Sequence, residues 1–177
     1  MELSVGQKVA YPNQGICLVE DIERKKIGET TIKFYALRVL SDNSTILVPT
    51  ANAETVGIRP VINTSQYRRL IDKLADDFGE VSPDWKTRSR EFNDYLQSGD
   101  VFKAADVLKK LTFLSYEKKL SFREQAFLEK ARYLIVSEVI TAGLAKETRI
   151  ENKINQLIEN ACTKHVVTQP KVLAANH

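Results

Sequence analysis

Up to about Arg59 the chain runs in short stretches with the grammar of β-strands: Lys8-Val9-Ala10-Tyr11, Ile16 to Ile22, Thr31 to Val39, and Thr45-Ile46-Leu47-Val48-Pro49. Each is bounded by turn residues that bend the backbone at little steric cost, in Pro12-Asn13-Gln14-Gly15, Ile27-Gly28-Glu29-Thr30 and Ser41-Asp42-Asn43-Ser44. Four or five short strands in about 60 residues are too few for a two-layer sandwich, and a small SH3-like or Tudor-like barrel is the expected solution. Such barrels bind partners more often than they catalyse.

After Ser65 the apolar period lengthens from two to about three and a half. Tyr67, Leu70, Ile71, Leu74 and Phe78 form an i, i+3, i+4, i+7 stripe that predicts a helix from Gln66 to Phe78, stopped by Gly79. Ser82-Pro83-Asp84-Trp85 reads as a second helix start, with Ser82 as N-cap and Pro83 in the first turn, running to Ser98-Gly99. Asp100 is placed to cap a third helix from Val101 to about Glu117. The box Ser121-x-x-Glu124 opens a fourth towards Gly143, and Ile150, Ile154, Leu157, Ile158 and Ala161 mark a fifth from Glu147 to Ala161. From Val166 to His177 no period is visible, and that end is expected to be poorly ordered.

The pattern therefore predicts an α+β chain of two domains: a small β-barrel over residues 1–62, an all-α helical domain over 63–164, and a disordered tail over 165–177. No fixed-period repeat or low-complexity tract interrupts it.

Composition adds exclusions. With 177 residues, 43% hydrophobic and 28% charged, the chain can bury a core, so disorder, collagen and disulfide scaffolds are set aside. Cys17 and Cys162 lie far apart without a CxxC pair, which fits a reducing compartment. The longest stretch without charge, Asn43 to Ala53, has eleven residues, short of the roughly 20 that span a bilayer. Met1 to Gly15 lacks the pattern of a secretory signal, so a cytoplasmic chain without membrane contact is expected.

Catalytic chemistry is hard to find. The seven glycines make no phosphate-cradling motif, and both histidines fall near the C-terminus. Cys162 and His165 share helical spacing but read as surface residues of a last turn rather than as a metal pair. Asp76, Asp77 and Glu80 read as a solvated helix end, and Cys17 as a small packed residue or an exposed one on a strand. No enzyme activity, metal or cofactor is expected.

Charge is more informative once divided. The formal net charge of +3 lies wholly beyond residue 62, because residues 1–62 hold seven basic and seven acidic side chains. Between Trp85 and Arg132 there are eleven basic residues against seven acidic, which makes the helical part the candidate phosphate-facing surface; the competing reading is the wet face of a bundle. Trp85 sharpens the choice. Placed in a helix's first turn and followed by Lys86, Arg88 and Arg90, it could wedge against a base step, or it could extend a buried stripe through Phe92 and Leu96.

Several motifs now carry a resemblance. Val5-Gly6-Gln7-Lys8-Val9-Ala10-Tyr11-Pro12-Asn13-Gln14-Gly15, then Val48-Pro49 with Val56-Gly57-Ile58-Arg59, then Trp85 with Arg88, Ser98-Gly99-Asp100, Leu120-Ser121, Glu124 and Lys130-Ala131-Arg132, resemble in order and spacing the CarD/CdnL bacterial transcription regulators. The likeness covers roughly residues 3 to 145. It implies a Tudor-like domain that binds the β subunit of RNA polymerase by strand addition, similar to the polymerase-binding module of the transcription-repair coupling factor. It also implies a helical domain on promoter DNA at the upstream edge of the −10 element, where a tryptophan wedges into the minor groove and keeps the bubble open.

Carried over by position, the resemblance makes Trp85 the wedge, with Lys86, Arg88, Arg90, Lys130 and Arg132 on nearby DNA backbone, and Lys25, Ile27, Ile46 and Leu47 on polymerase, in a monomer. Relatives commonly read W-x-R-R-Y, whereas this chain has Trp85-Lys86-Thr87-Arg88-Ser89, which leaves Arg90 or Lys86 as substitutes. Leu47 and Gln125 stand where relatives often carry a base. Two functions follow as expectations: a regulator that stabilises the open promoter complex, or a protein–protein adaptor that never meets DNA. A wedge requires an exposed Trp85, and an adaptor core a buried one.

Overall fold

The computed structural model describes residues 1–168. Strands β1 (Lys8–Tyr11), β2 (Gly15–Ile27), β3 (Thr30–Val39), β4 (Thr45–Pro49) and β5 (Arg59–Pro60) form one antiparallel sheet in the order β4-β3-β2-β1-β5. The alternation along each strand sends Val9, Cys17, Val19, Leu37, Val39 and Val48 to one face, where they pack with Leu3, Tyr35, Ala53 and Ile58. Between Val19 and Asp21 the β2–β3 register slips. This bulge leaves Glu20 unpaired and resets the alternation, so that beyond it Asp21, Ala36 and Leu47 face one way and Ile22, Tyr35 and Val48 the other. Cys17 proves to be a packed residue, and burial, helped by the charge of Asp42, pushes its thiol up to about 11.

A 3-10 turn (Thr50–Asn52) and α1 (Ala53–Val56) carry the chain from β4 to β5, a two-residue strand that the alternation does not reveal. Helices α2 (Thr64–Ala75), α3 (Trp85–Gln97), α4 (Val101–Glu117), α5 (Phe122–Thr141) and α6 (Glu147–Thr168) follow. All five predicted helices are present, with shifted ends. Helix α2 starts two residues early because Asn63 and Gln66 make a reciprocal capping box, and it ends at Ala75, leaving Phe78 buried beyond it. Helix α3 is capped by Asp84, whose carboxylate accepts from the Thr87 backbone, while the Ser82 hydroxyl accepts from the Asp84 N–H instead.

The largest correction concerns α6, which continues through Thr168 rather than stopping at Ala161. Its last two turns are anchored, because His165 stacks on Phe78 at 4.1 Å and its Nδ1 lies 2.8 Å from Asp77, which also accepts from the Thr168 hydroxyl. Cys162 and His165 are therefore core residues, not surface ones, and Asp77 is a docking partner, not a solvated end. Burial pushes the Cys162 thiol up to about 11, a rise that Lys109 partly offsets. Residues 165–168 of the expected tail are helical, and the rest of that tail lies outside the described residues.

The helical core, centred on Leu70, Phe92, Leu108, Leu111, Ile135 and Ile154, meets the sheet along a seam where α5 packs on β2. Close approach there depends on glycine. A Cβ at Gly99, which has φ +76°, would lie 3.0 Å from Pro12 Cγ, and one at Gly15 would lie 3.1 Å from Tyr133 Cε1.

Candidate functional site

Two surfaces stand out, and the first lies where α3 and α5 begin. Trp85 is 62% exposed at the first position of α3, with Lys86 reaching over its ring at 5.7 Å. The buried stripe of α3 runs through Arg88, Phe92 and Leu96 instead. Although Trp85 has the spacing to join that stripe, as the first helical residue it stands beyond the end of the packed core.

Arg88 occupies the position expected of a surface cation but is buried, with 5% exposure. Its Nη2 donates to Glu124 Oε1 at 2.9 Å, and Nη1 to the carbonyls of Ser82 and Pro83 at 2.8 and 3.0 Å. The sequence reading of Arg88 as an exposed backbone contact therefore needs correcting: its guanidinium ties the segment leading into α3 to the first turn of α5. Glu124 is well served. Burial alone would raise its pKa, but hydrogen bonds from Arg88, the Ser121 N–H and Lys118, together with the Lys118 charge, hold it at about 2.

Above this ion pair lies an open groove of about 400 Å³ lined by Trp85, Arg88, Ser89, Lys118, Ser121, Arg123 and Glu124. Among the described residues, Arg88 Nε and the Ser89 hydroxyl are buried without a hydrogen-bond partner. Lys118 and Arg123 border the groove although the motif comparison passes over both. Phe122, 94% exposed between Ser121 and Arg123, was missed as well. A phenylalanine in a helix's first turn carries no sequence signal of its own, because only the fold shows that nothing covers it.

The remaining predicted cations are scattered. Lys86 and Arg90 are exposed, and Lys130 and Arg132 half-buried on α5. Lys130 shares the α5 face of Arg123, two turns on, whereas Arg132, nine residues from Arg123, points the opposite way; neither lines the groove. Burial lowers the pKa of Lys130. Of the eleven basic residues counted between Trp85 and Arg132, Arg88, Lys109 and Lys110 are internal. Lys109 caps the end of α2 by donating to the carbonyls of Lys73 and Asp76 at 2.5 and 3.2 Å, and Lys110 pairs with Glu91 at 2.7 Å.

The second surface is the β4 edge. One flank of β4 pairs with β3, and among the described residues the other has no strand beside it. On the outer face the register sets Leu47 beside Ala36, and Lys25 beside Ile32; Lys25, Ile27 and Leu47 are exposed, with Phe34 and Ile32 half-buried among them. Ile46 is not with them. It lies on the inner face, packed against the sheet's core cluster, so of the four expected contacts it alone is turned away.

Among the described residues no group of three or more His, Cys, Asp or Glu could hold a metal ion, and no helix is long and apolar enough to cross a membrane.

These two surfaces sit on the two segments that known families match. Residues 3–62 match the family model of the CarD-like/TRCF RID domain, and residues 69–155 match that of the CarD C-terminal domain. The chain belongs to the CarD family. Among relatives, it is 26% identical over 135 residues to "Putative transcription factor YdeB" of Bacillus subtilis (strain 168), covering 76% of this chain and 88% of that one. Among solved structures, the N-terminal domain of Myxococcus xanthus CarD shares 34% identity over 33% of this chain and 79% of that domain, with a TM-score of 0.29. For a CarD-family chain, the exposed Trp85 at the start of α3 and the open β4 edge fall one in each matched segment.

Proposed function

We propose that this chain is a non-enzymatic cytoplasmic transcription regulator that docks on the β subunit of RNA polymerase through the β4 edge and holds promoter DNA with the α3–α5 surface, stabilising the open complex. The observation that carries the DNA half is the exposure of Trp85 beside a groove bordered by Lys118 and Arg123. An indole standing free at a helix start can enter the minor groove and partly unstack a base step, while neighbouring cations hold the phosphates. Lys86 reaches over the Trp85 ring, Arg90 is exposed one turn further along α3, and Phe122 adds an exposed aromatic at the start of α5.

For the polymerase half, the free flank of β4 offers backbone groups to an incoming strand, and Leu47, Ile27 and Lys25 lie on the face beside it. An adaptor that used Trp85 to extend its helical core would bury the ring, whereas it is 62% exposed.

DNA affinity made through phosphates falls with salt. With about three phosphates neutralised, the log–log slope of affinity against salt is expected near −3, and Lys118→Ala or Arg123→Ala each brings it towards −2. A salt-independent association, or none with duplex DNA, contradicts the reading and leaves the adaptor.

A further inference from the structure

We infer that Arg59 and Glu138 form a clasp that fixes the angle between the sheet and the helical bundle, so that both surfaces are presented as one rigid body. Arg59 is in β5, at the exit from the sheet. Its Nη1 and Nη2 donate to Glu138 Oε1 and Oε2 at 2.5 and 3.0 Å, and its Nε and Nη2 donate to the Gly99 carbonyl at 3.2 and 2.8 Å. The Ile62 N–H, just before α2, donates to Glu138 Oε1 at 3.0 Å. One guanidinium thus joins three segments: the last strand, the α3–α4 turn and the last turn of α5.

Glu138 is 3% exposed, so its carboxylate has left water almost completely. A buried ion pair of this kind spends much of its Coulombic attraction on its own desolvation, and an apolar pair of equal volume often gives equal stability. Its particular contribution is direction. The planar fork accepts one relative orientation of β5 and α5, whereas apolar contacts such as those of Leu134 along the seam tolerate sliding.

This inference rests on the proposal that the chain bridges polymerase and DNA. When one surface is engaged, a rigid connection holds the other near its target at high effective concentration; a loose one spreads it over many orientations and adds an ordering cost. Arg59 and Glu138 are thus positioning residues that act through the two surfaces and touch neither partner.

The test uses the full chain carrying Arg59→Lys, Glu138→Gln, or both Arg59→Met and Glu138→Met. The single variants remove the fork at nearly constant size, and the double variant keeps the seam apolar and guards against unfolding. Residual dipolar couplings are measured for each. Wild type is expected to fit one alignment tensor across sheet and bundle, and the variants two. Affinities for the isolated β-subunit lobe and for a promoter fragment are expected to stay within about twofold, while the gain in open-complex lifetime falls by about tenfold. A single tensor in the double variant overturns the clasp, as does an unchanged lifetime in variants that show two tensors. A wild type that does not lengthen the lifetime contradicts the functional reading instead, and the couplings still decide whether the clasp sets the angle.

Discussion

Arg88 and Trp85 lie three residues apart on α3 and do opposite things. Arg88 is internal and holds the helix start in place through Glu124, Ser82 and Pro83, and Trp85 stands free on the turn so fixed. Trp85→Ala is therefore expected to leave the melting temperature within about 1 °C of wild type, because a largely exposed side chain contributes little to stability. Glu124→Gln is expected to cost roughly 3 kcal/mol, since it strands a buried guanidinium. The pH dependence has a definite sign. Because Glu124 is held at about 2 in the fold against an ordinary 4.5, its stabilising contribution is complete above about pH 4.5 and is lost as the pH falls towards 2. Thermal melts through that window should fall more steeply for wild type than for Glu124→Gln; parallel curves would show that the pair does not hold the helix start.

At the scale of elements, β4 is an edge whose two neighbouring apolar residues face opposite ways. Leu47→Glu should leave stability unchanged and weaken binding to the β-subunit lobe by about tenfold. Ile46→Glu should instead lower stability by roughly 2 kcal/mol, because it carries a charge into the sheet's core. Equal effects on binding at equal stability would mean that the register is wrong. Gly99→Ala is expected to cost roughly 1–2 kcal/mol through its left-handed φ, with the Pro12 contact adding to it, as a urea titration would show.

Four of the strands and the existence of all five long helices were legible in the sequence, because period and turn chemistry are local. The α6 extension was not. His165 and Thr168 continue the helix because Asp77, Phe78 and Phe113, far away in sequence, are placed to receive them. For the same reason the spacing of Trp85 fitted a core stripe, and no count of residues could show that the bundle ends before it.

On the scale of the whole molecule, the net charge of +3 understates the asymmetry and a count of bases overstates it. Lys109, Lys110 and Arg88 work inside the bundle, which leaves Lys118 and Arg123 beside Trp85 in the groove and Lys86 and Arg90 exposed on α3. In the proposed reading the sheet offers an edge to polymerase and the bundle a cationic rim to DNA, and the seam joins them. The measurement that bears most directly on this arrangement is the lifetime of an open complex formed by purified polymerase on a ribosomal-RNA-type promoter, with wild type, with Trp85→Ala and with no added protein. The account predicts a longer lifetime with wild type and a return to the unassisted value with a folded Trp85→Ala. A folded alanine variant that extends the lifetime as well as wild type would contradict it.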